Sequence, residues 1–356
     1  MGNIHRTKSE EGRRMRLFST EQVSKWHPDK MADQVSDSIL TECLKLDKSA
    51  YVACETLLKG STCVLAGEIT TTANVDFAEI AKKKLKELEP WKDYKVIQLI
   101  TKQSPQINAA VAQEANIGAG DQGMMFGYAT AETDSLLPYG FALANEVIAR
   151  LEKFTRENPN ILKGDAKTQV TVDLDKEGAE SVKLILISVC YWPEWQLGVI
   201  RSKIRDLFPE YSEEQLLINP SGEWTIGGPD ADAGLTGRKI VADQYGGYYP
   251  VGGGAFSGKD PTKVDRSASY MARKIACDLV RDFDLLEASV QLAYAIGRAH
   301  PVSAIATGKT QAGEEQDFSR YVAFNYDLTP RGIIKALDLL NKDYAKLAEG
   351  CHYRNN

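Results

Sequence analysis

Between positions 26 and 30 the chain reads Trp26-His27-Pro28-Asp29-Lys30. That run holds a proton donor, a carboxylate fit for a hard metal ion and an ammonium fit for phosphate. The chain has four histidines, His5, His27, His300 and His352, so finding one here carries weight. Ala32, Val35, Ile39 and Cys43 follow at helical spacing. Pro28 suits the first turn of such a helix, where its missing N–H has no partner to lose. A helix N-terminus presents free N–H groups and partial positive charge, which favour an anion. Two readings stand at this point: a polyphosphate site, or an ordinary helix start whose Asp29 supports the first turn.

Two glycine-rich strings match phosphate-loop patterns in part. Gly118-Ala119-Gly120-Asp121-Gln122-Gly123 fits G-x-G-x-x-G, but a dinucleotide site needs a strand before it and a helix after it. Here 109–115 reads as helix or loop and 124–128 as strand. Gly253-Gly254-Ala255-Phe256-Ser257-Gly258-Lys259 fits G-x-x-x-x-G-K, yet Asp260 stands where a magnesium-binding Ser or Thr belongs. Together with Lys263, Asp265 and Arg266, this stretch sets three cations and two carboxylates beside an open backbone. Lysines there can hold phosphates, and carboxylates can hold magnesium that bridges phosphates.

These groups need a scaffold, and 356 residues suffice for two or three domains. The chain is 43% hydrophobic and 26% charged, as a globular protein should be. Its net charge of −6 gives no overall nucleic-acid surface, and no apolar run nears the roughly 20 residues that span a bilayer. Positions 1–16 are polar and basic, without a signal-peptide core, and read as a disordered tail. Cys43, Cys54, Cys63, Cys190, Cys277 and Cys351 form no C-x-x-C pair, which argues against structural zinc and for a reducing, cytoplasmic setting.

Strand and helix patterns alternate in three units. Segments 51–58 and 62–71 are rich in β-branched residues around Lys59-Gly60-Ser61 and predict a hairpin. Phe77, Ile80, Ala81, Leu85 and Leu88 predict a helix, and 95–101 a strand. The second unit has a helix after Pro138, paired strands 168–174 and 181–189, and a helix carrying Val199, Ile200, Ile204 and Leu207. The third has a long helix around Met271, Ile275 and Leu279, a strand 288–296, and a helix carrying Ile333, Ile334 and Leu337. The expected class is α+β, with helices on one face of each sheet.

The strings His27-Pro28-Asp29-Lys30, Gly67-Glu68-Ile69-Thr70-Thr71, Lys102-Gln103-Ser104-Pro105, 118–130, Asp165-Ala166-Lys167, Gly234-Leu235-Thr236-Gly237-Arg238-Lys239 and 252–266 occur in an order that resembles the S-adenosylmethionine synthetase (methionine adenosyltransferase) family. The resemblance implies three similar sub-domains in a pseudo-threefold arrangement, each a small mixed or antiparallel sheet with helices on one face. Segments 17–113, 117–228 and 229–356 would be the N-terminal, central and C-terminal domains.

It also implies a reaction: methionine sulfur attacks C5′ of ATP and displaces triphosphate, which is then hydrolysed. By resemblance, His27, Lys167, Arg238 and Lys259 form the catalytic set. Asp165, Trp224, Asp232, Lys239 and Ala255 join ATP binding, with Trp224 facing the adenine. Glu68, Gln103, Asp121, Asp232 and Lys263 are the implied methionine contacts. Asp29 and Asp265 would hold Mg2+, and Glu55 would hold K+. A homodimer or dimer of dimers with shared active sites is implied, with no nucleic acid or membrane partner. A triphosphatase, or a non-catalytic nucleotide-binding subunit, is the alternative. Four substitutions depart from the family pattern: Trp26 for a glycine, Gln106 for an aspartate, Glu223 for an arginine and Trp224 for a phenylalanine. The chain also stops short of a usual C-terminal segment.

Overall fold

The computed structural model describes residues 16–102 and 118–354. The basic tail up to residue 15, Gln103, Gln106 and the run 109–115 lie outside these residues. In chain order the elements are β1 (Leu17–Val23), α1 (Pro28–Leu46), β2 (Tyr51–Lys59), β3 (Thr62–Thr70), α2 (Phe77–Leu88), β4 (Lys95–Thr101), β5 (Gly123–Thr130), α3 (Tyr139–Glu157), β6 (Leu162–Asp173), β7 (Val182–Tyr191), α4 (Leu197–Arg205), β8 (Leu216–Ile218), α5 (Gly228–Ala231), β9 (Gly234–Leu235), α6 (Ile240–Asp243), α7 (Val264–Asp282), β10 (Glu287–Tyr294), β11 (Ser303–Lys309), β12 (Glu315–Asp317), α8 (Ser319–Asn325), α9 (Pro330–Ala336) and α10 (Tyr344–Leu347).

The strands form three four-stranded sheets, ordered β4-β3-β2-β9, β1-β6-β7-β8 and β12-β11-β10-β5. The α+β class with three small sheets is as expected. The sheets do not keep to the expected sequence segments, however. β1 pairs antiparallel with β6, β9 with β2, and β5 with β10, so each sheet borrows a strand from a distant stretch. Alternation explains the one-sided covering. In β10 every second residue is buried, and that face packs on α7. The opposite faces stay open, with Leu57, Ile97, Leu99, Met124 and Ile305 exposed.

Helix α1 positions the site. His27 is its N-cap, Pro28 opens its first turn, and Lys45 favours its C-terminal end. Met31, Val35 and Ile39 pack with β2 and β3 in one core and are fully buried. Each such side chain contributes about 1.5–3 kcal/mol, so Ile39→Ala would loosen the helix by roughly 2–5 kcal/mol. The helix is buried on its polar side too: Lys30, Asp33, Ser36 and Asp37 are inaccessible to solvent. Buried charges need partners: Lys30 pairs with Asp33 and Asp243, and Asp37 with Arg266 on α7.

Candidate active site

The turn between β1 and α1 is pinned to β6. Ser24 N–H donates to Ala166 O at 2.9 Å, and Ser24 Oγ donates to Gly164 O at 2.7 Å. This brings His27 beside the strand that carries Asp165 and Lys167. Trp26 fills the remaining space: its Nε1 donates to Leu88 O at 3.0 Å. The indole lies so close to Gly164 that a Cβ there would fall 2.5 Å from the ring.

His27 Nδ1 accepts the Asp29 N–H at 3.1 Å. An accepting Nδ1 is unprotonated, so the neutral ring carries its hydrogen on Nε2. Burial, then Lys239 and Lys167, push the imidazole down to about 3. The ring is a neutral donor surrounded by cations. Burial works against the charge of Asp29, but hydrogen bonds from Lys239 and Leu235 outweigh it and hold the carboxyl below its usual range. Lys239 Nζ lies 2.6 Å from Asp29 Oδ2, and Arg238 Nε lies 4.0 Å from Oδ1.

Lys30 proves to be structural. Its ammonium is wholly buried between Asp33 at 3.1 Å and Asp243 at 2.6 Å, which leaves it no reach to an exposed phosphate.

The 252–266 segment packs against the same helix. Lys259 Nζ pairs with Asp265 Oδ2 at 2.5 Å, and a Cβ at Gly254 would overlap the Asp265 carboxylate. Ala255 sits on the Gly237 turn, where an added Cβ would lie 2.6 Å from its own. Lys263 pairs with the buried Asp260 at 2.5 Å. Gly120 lies against Thr262 and Lys263, which brings exposed Asp121 to that loop. Asp165 accepts the Gly228 N–H at 2.7 Å through Oδ2, while its buried Oδ1 has no partner among the described residues. Burial, partly offset by Gly228 and Lys167, raises its carboxyl to about 6; Asp232 is also close enough to act on it.

Trp224 is half-buried, with Nε1 donating to Ile226 O at 2.8 Å. Glu55 and Glu68 are exposed on β2 and β3. They share the open face of their sheet with Leu57, Ile97 and Leu99, through the pairs Glu55–Ala66, Ala53–Glu68 and Ala66–Leu99. Lys259 bridges to Ala53, which pairs with Glu68, so Glu68 stands one strand from Lys259. The structure thus gathers His27, Asp29, Lys167, Arg238, Lys239, Ala255, Lys259 and Asp265. It sets Glu55, Glu68, Asp121, Asp232, Trp224 and Lys263 on the surrounding elements. Asp33, Asp37, Asp260 and Arg266 also support the site. Asp29, Asp33 and Asp37 recur every fourth residue, a spacing that marks one helix face.

No group of three or more His, Cys, Asp or Glu side chains among the described residues makes a metal cage. Asp29 and Asp265 still fit magnesium held with phosphates, because that ion needs only one or two protein carboxylates.

Comparison with known proteins matches most of the chain to one family. Residues 15–113 match the model of the S-adenosylmethionine synthetase N-terminal domain, 116–224 its central domain and 226–356 its C-terminal domain. S-adenosylmethionine synthase of Helicobacter hepaticus is 44% identical over 95% of this chain and 92% of its own. That of Sulfurimonas denitrificans is 44% identical over 98% and 93%. The solved structure of an unusual S-adenosylmethionine synthetase from Campylobacter jejuni superposes with a TM-score of 0.83, at 31% identity, covering 94% of each chain. The chain belongs to the S-adenosylmethionine synthetase family and is an enzyme of the transferase class.

Proposed function

We propose that the protein is a methionine adenosyltransferase, converting ATP, L-methionine and water to S-adenosyl-L-methionine, phosphate and diphosphate. The methionine sulfur attacks C5′, the C5′–O5′ bond breaks, and its electron pair leaves on O5′ of triphosphate. A thioether has no proton to lose, so the step needs no general base. The barrier lies in charge growing on a polyanion, and fixed cations and donors are the means to lower it.

One observation carries this reading: His27 Nδ1 accepts the Asp29 N–H, which leaves Nε2 to donate, and Lys239 and Arg238 stand at the Asp29 carboxylate beside it. His27 steadies O5′. Lys167, Arg238, Lys239 and Lys259 hold the phosphates, and Asp165, Trp224, Asp232 and Ala255 complete the nucleotide site. Glu68, Gln103, Asp121, Asp232 and Lys263 orient methionine. Asp29 and Asp265 would hold Mg2+, which when bound neutralises phosphate charge, and Glu55 would hold K+.

The active enzyme is a homodimer or a dimer of dimers. The open face carries exposed Leu57, Ile97 and Leu99 among its charged residues, and such apolar side chains call for a cover. Glu55 and Glu68 lie on that same face, so a cover there completes the site. All six cysteines are free and buried, which suits a reducing cytoplasm. No described helix is long and apolar enough to cross a membrane. The test is a mixture of protein, ATP, methionine, Mg2+ and K+, with S-adenosylmethionine expected. Triphosphate breakdown alone would identify a triphosphatase, and neither product a nucleotide-binding subunit. Light scattering at assay concentration checks assembly; an active monomer would overturn the shared site.

A further inference from the structure

The polar face of α1 carries Asp29, Asp33 and Asp37, and each accepts one backbone N–H from the loops that bear the cations. Leu235 N–H goes to Asp29 at 2.9 Å, Gly237 N–H to Asp33 at 2.8 Å and Gly258 N–H to Asp37 at 2.8 Å. The residue after Gly237 is Arg238, and the residue after Gly258 is Lys259. Both glycines sit at positive φ, +81° and +80°, and an added Cβ would crowd Ala255 or overlap Cys54 O. Asp33 and Asp37 are wholly buried, so neither is placed to touch a substrate. Their charges are matched from behind: Lys30 pairs with Asp33 at 3.1 Å, and Arg266 grips Asp37 at 2.7 and 2.5 Å.

We infer that Asp33 and Asp37 are positioning residues, a ruler on α1 that sets where Arg238 and Lys259 stand before triphosphate is bound. This rests on reading those two cations as a phosphate clamp. The Gly237 and Gly258 N–H groups are thereby each tied to a carboxyl of a buried helix. Both loops also hydrogen-bond to β2, through Thr236 N–H to Thr56 O and Cys54 N–H to Gly258 O; the two aspartates, one helical turn apart, fix their spacing from the other side. Clamp catalysis depends on such spacing, since a misplacement of about 1 Å can cost roughly a hundredfold.

The test uses the full-length enzyme with Asp33→Ser and Asp33→Asn. Serine is too short to reach Gly237 N–H, whereas asparagine can present an oxygen to it. Lys30 keeps Asp243 at 2.6 Å in both. Asp33→Ser should raise KM for ATP and for inorganic triphosphate about tenfold or more, leave KM for methionine unchanged, and be largely rescued by Asp33→Asn. Should Asp33→Ser not fold, Gly237→Ala strains the same N–H from outside the core and should give the same split. Unchanged KM for ATP overturns the inference. So does a fall in kcat alone, common to all substrates, which is what a smaller folded fraction gives. An Asn variant no better than Ser overturns it as well. A wild type that neither turns over ATP nor cleaves triphosphate overturns the clamp reading and this one together; a normal wild type with indifferent variants overturns this one alone.

Discussion

The ring of His27 accepts the backbone N–H of Asp29, so a single turn sets both the tautomer of the imidazole and the place of the carboxylate two residues on. The histidine should be neutral with its proton on Nε2 at pH 7 in the ligand-free enzyme, and imidazole nitrogen chemical shifts report this directly. A donor aimed at O5′ matters more in the transition state than in the ground state. His27→Ala should therefore slow S-adenosylmethionine formation about a hundredfold, on the order of 3 kcal/mol, with ATP and methionine binding nearly unchanged. Hydrolysis of added triphosphate should fall less. Single-turnover measurement of both steps decides, and equal losses would make His27 a general phosphate contact.

Lys239 on Asp29 and Lys259 on Asp265 are cation–carboxylate pairs formed without substrate. On the proposed function, phosphates draw these lysines from their carboxylates. Lys259→Met should weaken binding of a non-hydrolysable ATP analogue by about tenfold or more, since a hydrogen bond to a charged group is worth about 1.5–3 kcal/mol. Calorimetry in the presence of Mg2+ checks it. Unchanged affinity would take Lys259 out of the clamp.

Asp165 should make stability fall as pH rises. Its folded value, about 6, lies above the unfolded 3.8. The folded state therefore binds more protons in that interval, and the stabilisation is complete below about 4 and lost above about 6. Asp165→Asn removes the titration. Its stability relative to wild type should rise between pH 4 and 7, on the order of 2 kcal/mol. Urea midpoints at several pH values measure this, and a flat difference would contradict it.

Potassium should stimulate the enzyme through Glu55, whose carboxylate stands exposed on β2. Initial rates in potassium and in sodium-only buffers test it. Equal rates would remove Glu55 from the site.

Trp26→Gly would restore the residue usual in the family, but here it should destabilise. The indole packs on Gly164 and ties to Leu88. It is half-buried, so the loss should be roughly 2 kcal/mol, short of the 3–5 typical of a fully buried aromatic. Denaturant unfolding monitored away from tryptophan emission would show it.

Much of this architecture is legible in the residues themselves. The hairpin around Gly60 follows from alternation and turn chemistry, and α1 from its proline and apolar stripe. Strand β1 is not: Ser19, Thr20, Glu21 and Gln22 break its pattern, and its partner β6 lies far along the chain. Pairing at that distance leaves no local signal. For the site, motif spacing picks out the candidate groups, whereas Asp33 and Asp37 read as surface charges until burial is known, and Arg266, which the sequence groups with the phosphate cations, is buried against Asp37. Lys30 is the converse: its neighbours suggest phosphate, and Asp243, contributed by a remote helix, claims it.

The borrowed strands also bear on synthesis at the ribosome. β1 emerges before β6, and it cannot complete its sheet until β6, from Leu162 onward, has been made, on the order of ten seconds later at ordinary elongation rates. β5 likewise waits for β10. The nascent chain therefore carries unpaired strand edges through much of its own translation, the condition in which aggregation competes with folding. Cut at the two boundaries between its family domains, the chain should yield fragments each lacking a strand of a sheet, and the intact enzyme should mature only after its last third has been released.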